Sequence, residues 1–312
     1  MNREKTILLA DENLVLANKS RFANWKTIVI PSGEQQKVLP MVDQLISRLI
    51  ALGATKQTTL VGIGGGVVTD ITGFVAGVFM RGVDFGFVPT SVLAMTDAAI
   101  GGKNGVNVGL YKNMAGLIRQ PRFLLYDYTL LKSLPKQEWV NGFAEIIKHA
   151  CIQDVAMFKM LEEQKLSFFQ KNTEALAKLI EKNALLKTKT VAKDEFEKGD
   201  RKLLNFGHTI GHALENLYSI PHGQAVSIGI GVACKISEQL TGFKETDRVL
   251  KLLKQYGLTP QLEFDKDEVW KLILADKKAS AKDIDYIVLN KIGKASIARL
   301  PLEELHGLIK EL

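Results

Sequence analysis

The chain has little cysteine, few aromatic residues and no long apolar run. Its two cysteines, Cys151 and Cys234, sit in helical, apolar contexts. That excludes a disulfide-built scaffold and reads as two buried thiols in a reducing cytoplasm. No apolar stretch approaches the roughly 18 residues of a membrane span, so no membrane contact is expected. Near the N-terminus only Ile7–Ala10 is continuously apolar; this is too short for the core of a signal peptide and reads as a first strand. Repeats and low-complexity tracts are missing. The formal net charge is +7, but the lysines are spread along the chain. No arginine-rich or aromatic-interleaved stretch supports nucleic acid as a partner. A few of these cations are expected to serve an anionic small substrate instead.

What is present suits a globular chain: 46% hydrophobic and 24% charged residues allow a real core. Thr27–Ile30, Thr58–Ile63 and Phe85–Pro89 read as strands. Val38–Leu52, stopping at Gly53, and Val67–Met80 read as helices. Strand, helix, strand in this order argues for a parallel sheet with crossover helices. From Lys136 to about Leu274 nearly everything has helical periodicity, broken near Gly199, Pro221, Gly242 and Gly257. Asp285–Asn290 and Ala295–Arg299 read as a late strand pair. The expectation is α/β plus all-α: a Rossmann-like nucleotide-binding domain over 1–135, then a mostly helical metal-binding domain over 136–312.

Gly64-Gly65-Gly66 ends a strand and opens a helix, where backbone N–H groups can face a phosphate. The usual dinucleotide fingerprint is not met, because Val67 stands at its third glycine. Asp70 follows one turn later, either as a helix-dipole acid or as a contact in a cofactor site. The chain has five histidines, and His208, His212 and His222 cluster. His208 and His212 are four apart and share a helix face. With a carboxylate they suit a catalytic metal site that keeps one open position. Glu145, on the apolar face of a helix, is the candidate, since a buried acid needs a partner. Spacing leaves open which histidines bind metal and which moves protons. Lys103 on the Gly101–Gly105 glycine-rich loop, Lys112, Lys148 and Arg201 are cations suited to a phosphate and a carboxylate.

The set of motifs resembles the 3-dehydroquinate synthase family of the sugar phosphate cyclase superfamily. The matching stretches are Ser32–Lys37, Gly64–Asp70, Arg81-Gly82, Pro89-Thr90-Ser91, Asp97 with Gly101–Asn107, Lys112-Asn113, Ala144–Lys148, Asp194–Arg201, Asn205–His212, His222-Gly223 and Asp276-Lys277-Lys278. They occur in family order over nearly the whole chain. By this resemblance Glu145, His208 and His222 bind zinc or cobalt, and His212 transfers protons. Asp97, Lys103, Asn113, Lys148, Lys187, Arg201, Asn205 and one of Lys277 or Lys278 hold substrate. Asp11, Asn13, Ser32, Gly33, Glu34, Lys37, Gly65, Gly66, Asp70, Thr90, Ser91, Lys103 and Lys112 line an NAD site.

The implied substrate is a sugar-acid phosphate, 3-deoxy-D-arabino-heptulosonate 7-phosphate, in the shikimate route to aromatic amino acids. The implied reaction is transient oxidation at C5, β-elimination of phosphate, return of the hydride, ring opening and intramolecular aldol closure to 3-dehydroquinate. NAD is regenerated at each turnover. A cytoplasmic homodimer is the implied assembly.

Two departures stand out. The chain begins close to its first strand, without the N-terminal strand region usual in the family, which is expected to affect the sheet edge or dimer contact. Gln224 stands where an acid commonly follows the His222-Gly223 pair, so the surroundings of the metal are expected to differ. Competing readings are another sugar phosphate cyclase, an alcohol dehydrogenase of related fold and a basic nucleic-acid binder. Gly73, where such dehydrogenases usually carry a lysine, speaks against the dehydrogenase.

Overall fold

The computed structural model describes residues 2–109, 111–261, 263–276 and 282–312. The expected contacts of Lys277 and Lys278 lie outside the described residues. Two compact units make up the chain: Met1–Trp139 with Ile180–Thr188, and Val140–Leu179 with Lys189–Leu312. The middle of one long helix, Thr173–Lys193, thus belongs with the first unit although its ends belong with the second.

The first unit is built on four parallel strands: β1 (Thr6–Asp11), β2 (Lys26–Ile30), β3 (Thr59–Gly64) and β4 (Asp84–Pro89), in the order β2-β1-β3-β4. Side chains alternate across a strand, so an unbroken apolar run means that both faces are covered. Ile7 and Leu9 of β1 face one cluster with Ile28, Leu60, Phe85 and Phe87. Leu8 and Ala10 face the other with Val61, Val88 and Leu130. The Leu39–Ala51 and Gly66–Val78 helices pack residues such as Leu45, Leu49, Ile71 and Val75 into the first cluster. Each fully buried apolar side chain of this size contributes about 1.5–3 kcal/mol. This is the Rossmann-like arrangement expected from the strand–helix alternation.

An antiparallel hairpin, β5 (Lys103–Val108) with β6 (Tyr111–Ile118), follows in the same unit. Lys103, expected on a glycine-rich loop, opens β5 instead; the loop ends at Gly101 and Gly102. Glycines such as Gly105 and Gly116, which face each other across the pair, have low strand propensity and hide the strands from a reading by composition.

In the second unit, helices cover Val155–Glu163, Leu166–Lys171, His208–Tyr218, His222–Thr241, Thr246–Gln255 and Lys266–Asp276, with most of Lys136–Gln153. The late hairpin is β7 (Asp283–Lys291) with β8 (Lys294–Pro301), and a further helix, Leu302–Lys310, follows it. Phe143 anchors this core: its ring stacks on Tyr256 at 4.9 Å and tilts against Phe169 at 5.4 Å. Cys151 and Cys234 are free and buried. Burial pushes both thiols up, away from the reactive thiolate form. Among the described residues no helix is long and apolar enough to cross a membrane.

Candidate active site

Three helices of the second unit bring the candidate metal ligands together. Glu145 lies midway along the Lys136–Gln153 helix, fully buried. His208 and His222 are each the first residue of their helix. His222 reaches Glu145 because Gly223 beside it has no side chain. A Cβ on Gly223 would come within 2.5 Å of the Asn141 Cα, one turn before Glu145. The two histidine helices approach each other through another pair of glycines. A Cβ on Gly229 would collide with the Gly207 carbonyl, and Gly207 itself turns the chain into the His208 helix at φ +77°.

The ligand atoms of Glu145, His208 and His222 all lie within 4.8 Å of one another. Glu145 Oε1 is 3.4 Å from His208 Nε2 and 3.2 Å from His222 Nε2. Ligands bonded tetrahedrally at about 2.0–2.1 Å are separated by about 3.3–3.4 Å, so these spacings fit the edges of such a polyhedron. One carboxylate and two imidazoles are also the donor set of a catalytic site that keeps a position open. The residues therefore fit a divalent ion. His212, four residues after His208, packs its ring against His208 at 5.0 Å and His222 at 6.3 Å without joining the ligand set.

Charge follows this geometry. Burial would raise the Glu145 carboxyl, but Lys148 and His208 outweigh it and hold it well below the usual range. Lys148, itself 1% exposed, pairs with Glu145 Oε2. His208 is pushed down, by burial first and then by Lys148. His222 goes the other way. Burial lowers it, but its hydrogen bonds to Glu145 and Glu215 raise it to about 10. The His212 residue surface is exposed, although its imidazole lies among the other two. Desolvation of the imidazole, then the charges of His208 and His222, push it down, so it stands neutral near pH 7.

The Asp194–Asn205 segment of the same unit carries Arg201 and Asn205. Asp194 accepts hydrogen bonds from the backbone N–H groups of Lys198, Gly199 and Arg201 at 2.7–3.1 Å. Arg201 is 2% exposed and donates to the Glu195 carbonyl. Asn205 donates to Glu197 Oε1 at 2.5 Å. Glu197 occupies a left-handed backbone conformation, φ +58°.

In the first unit, Asp11 caps the Glu12–Ala17 helix and accepts from the Ser32 hydroxyl at 2.8 Å. Asn13 lies exposed in that helix, and Gly33 turns the chain at φ +114°. Lys37 is buried and pairs with Asp70 at 2.5 Å; burial nonetheless raises the Asp70 carboxyl. Gly65 and Gly66 begin the Gly66–Val78 helix without a side-chain cap, leaving its first N–H groups without intrahelical acceptors. The Thr90 N–H donates to the Gly64 carbonyl at 2.9 Å. The Ser91 hydroxyl accepts from the Ala94 N–H at 3.2 Å. Lys187 holds both the carboxylate and the carbonyl of Asp97, at 2.8 and 2.7 Å. Lys103 and Lys112 sit on β5 and β6, and Asn113 is a strand residue at φ +54°.

Sequence reasoning missed three residues that organise these surroundings. Asn107 donates to Glu34 at 2.9 Å and accepts from the Asn113 N–H at 2.9 Å. Glu197 receives Asn205. Glu215 lies 3.2 Å from His222 Nδ1. Only Glu215 left a periodic signal: positions 208, 212 and 215 share one helical face. Gln224 does not face the histidines. Its amide donates to the Thr259 carbonyl at 2.8 Å and accepts from the Thr259 N–H at 3.1 Å.

The parallel α/β unit and the helical unit bearing a His-His-Glu set match the fold of solved sugar phosphate cyclases. The chain matches 2-deoxy-scyllo-inosose synthase complexed with carbaglucose-6-phosphate, NAD+ and Co2+ at a TM-score of 0.86. The identity is 26%, over 100% of this chain and 92% of that one. It also matches the fold of ValA, 2-epi-5-epi-valiolone synthase from Streptomyces hygroscopicus with NAD+ and Zn2+ bound. That TM-score is 0.89 at 23% identity, over 98% and 91% of the two chains.

Sequence relatives narrow the class. Residues 27–141 match the 3-dehydroquinate synthase N-terminal family model and residues 142–279 the 3-dehydroquinate synthase C-terminal model. The 3-dehydroquinate synthase of Pyrococcus abyssi is 39% identical over 287 residues, 91% of this chain and 85% of that protein. That of Thermoanaerobacter pseudethanolicus is 37% identical over 298 residues, 94% and 83%. The chain belongs to the 3-dehydroquinate synthase family and is an enzyme of that type.

Proposed function

We propose that the chain converts 3-deoxy-D-arabino-heptulosonate 7-phosphate to 3-dehydroquinate and phosphate, using NAD and a divalent ion, zinc or cobalt. The observation that carries this reading is the Glu145–His208–His222 set, with the buried Glu145 backed by Lys148, in a chain of this family. Glu145, His208 and His222 would hold the ion, which when bound polarises an oxygen of the substrate. The Gly64–Gly66 turn, Asp11, Asn13, Ser32, Gly33, Glu34, Lys37, Asp70, Thr90, Ser91, Lys103 and Lys112 would hold NAD, which supplies reversible hydride transfer.

The chain's own residues supply the rest. Lys148 keeps the buried Glu145 ionised. His212, neutral near pH 7, can accept a proton and return it. Lys187 fixes Asp97 in place. Arg201 offers a planar fork that suits the substrate carboxylate, where a lysine would present only a point charge. Lys103, Asn113 and Asn205 complete the polar set assigned to substrate, together with a lysine at 277 or 278. The reading includes a cytoplasmic homodimer, supported by the resemblance to the family; sedimentation tests the dimer.

Another cyclase reaction has one observation in its favour: the likeness to 2-deoxy-scyllo-inosose synthase. Turnover of the heptulosonate phosphate against a neutral heptulose phosphate separates the two. The proposal expects strong preference for the acid, lost in Arg201→Lys. Equal turnover of both, or preference for the neutral sugar, contradicts it.

A further inference from the structure

We propose that Asn107 is a positioning residue that joins two segments far apart in sequence, the Glu34–Lys37 turn and the Lys112–Asn113 step of β6. The inference rests on the reading that Glu34 holds NAD and Asn113 holds substrate. All of these residues lie in the first unit. The hairpin pairs Val106 with Ala115 and Val108 with Tyr111, so Lys112, Asn113 and Met114 stand opposite the single residue Asn107. A break of this kind bends the strand and re-aims its side chains, and such breaks gather beside working sites. Asn107 turns its backbone outward instead. Its N–H donates to the Lys37 carbonyl at 2.7 Å, and it bridges Val38 in parallel.

The side chain then serves both segments at once. Its Nδ2 donates to Glu34 Oε1 at 2.9 Å, and its Oδ1 accepts from the Asn113 N–H at 2.9 Å. A backbone N–H only donates and a carboxylate only accepts, so the partners fix which end of the amide faces which. The bond to Asn113 meets a backbone that needs one. Asn113 sits at φ +54°, in the sparsely populated left-handed region, where surrounding contacts must hold a residue with a side chain. Glu34 is exposed, so the amide gives its carboxylate a fixed direction that solvent does not. The two ends can be perturbed separately. An aspartate at 107 keeps the acceptor for Asn113 but sets a second carboxylate against Glu34. An alanine loses both.

The test uses the full chain. NAD+ alone is titrated by calorimetry, and KM for the heptulosonate phosphate is measured at saturating NAD+ with zinc. Asn107→Asp is expected to weaken NAD+ about 3–10-fold, the lower part of the range for a hydrogen bond to a charged group because Glu34 is exposed. Its KM should stay within about twofold of the parent, since Asn113 keeps its acceptor. Asn107→Ala should weaken NAD+ and raise KM, each about 3–10-fold. In a Glu34→Gln background the aspartate at 107 should cost less than about twofold in NAD+ affinity, because the new amide can donate to it. A parent that binds no NAD+, or binds it unchanged in Glu34→Gln, overturns the cofactor reading and this inference with it. A parent that binds NAD+ while Asn107→Asp binds as tightly overturns the inference alone. So does an Asn107→Asp loss of equal size in both backgrounds, the mark of general damage to the hairpin.

Discussion

Gly223→Ala is the substitution that asks most of this structure. The added methyl would stand 2.5 Å from the Asn141 Cα and 2.6 Å from its carbonyl oxygen, both backbone atoms that cannot swing aside. An ordinary carbon contact needs about 3.5–4 Å, so the His222 helix must retreat from the Glu145 helix by about 1 Å. Overpacking of this kind costs about 1–3 kcal/mol. The retreat also moves His222 Nε2 away from Glu145 Oε1, now at 3.2 Å. Displacements of about 1 Å at a working site can cost on the order of 100-fold in rate. The assay is denaturant unfolding of the metal-free protein together with zinc affinity and kcat/KM. Gly307→Ala is the control. It lies in the Leu302–Lys310 helix with no atom within 4 Å of the new Cβ, and it should gain up to about 1 kcal/mol. Gly223→Ala with parental stability and zinc affinity would refute the claim that this glycine sets the distance between the ligands.

Three further outcomes follow from the same geometry. Glu145→Ala should lose metal and activity together, and should cost about 3–5 kcal/mol because it breaks the buried Glu145–Lys148 ion pair; metal retained at parental affinity contradicts the ligand assignment. His222, raised from 6.5 to about 10, is protonated at pH 7 in the metal-free protein, and Glu145 and Glu215 face that charge. Zinc must displace a proton, so affinity should rise up to about tenfold per pH unit and flatten as pH passes about 10. The same raised value stabilises the metal-free fold below about 6.5, a contribution lost as pH rises through about 10. Calorimetry in two buffers of different ionisation heat should show about one proton released per zinc at pH 7.5; none released contradicts the assignment. Gln224→Glu removes the donor to the Thr259 carbonyl and should cost about 1 kcal/mol while changing zinc affinity less than threefold. A larger loss of zinc would place position 224 in the metal's surroundings after all.

Much of the α/β unit was legible because buried parallel strands announce themselves. Leu60–Ile63 and Phe85–Pro89 are short apolar runs stopped by glycine or proline, and each lies within an observed strand. The β5–β6 hairpin was not legible, since Gly105, Gly109 and Gly116 interrupt any alternation and Asn113 breaks the strand geometry at φ +54°. At the site, helical spacing placed His208 and His212 on one face but could not choose between them. The choice depends on His222 Nε2 and Glu145 Oε1 meeting across helices far apart in sequence, and on glycines that let those helices close. Glu215 carried a helical signal that spacing alone gave no reason to read. Gln224 looked like a departure at the metal because it adjoins His222 in sequence, whereas its side chain turns toward Thr259.

The central claim is that this chain uses NAD without consuming it. The direct measurement is phosphate release from 3-deoxy-D-arabino-heptulosonate 7-phosphate by the zinc-loaded enzyme, with NAD+ far below substrate. The account predicts many phosphates per NAD+, an equal amount of 3-dehydroquinate, no accumulating NADH, and loss of all of it on chelation. No phosphate release, or NADH rising in step with product, would contradict it.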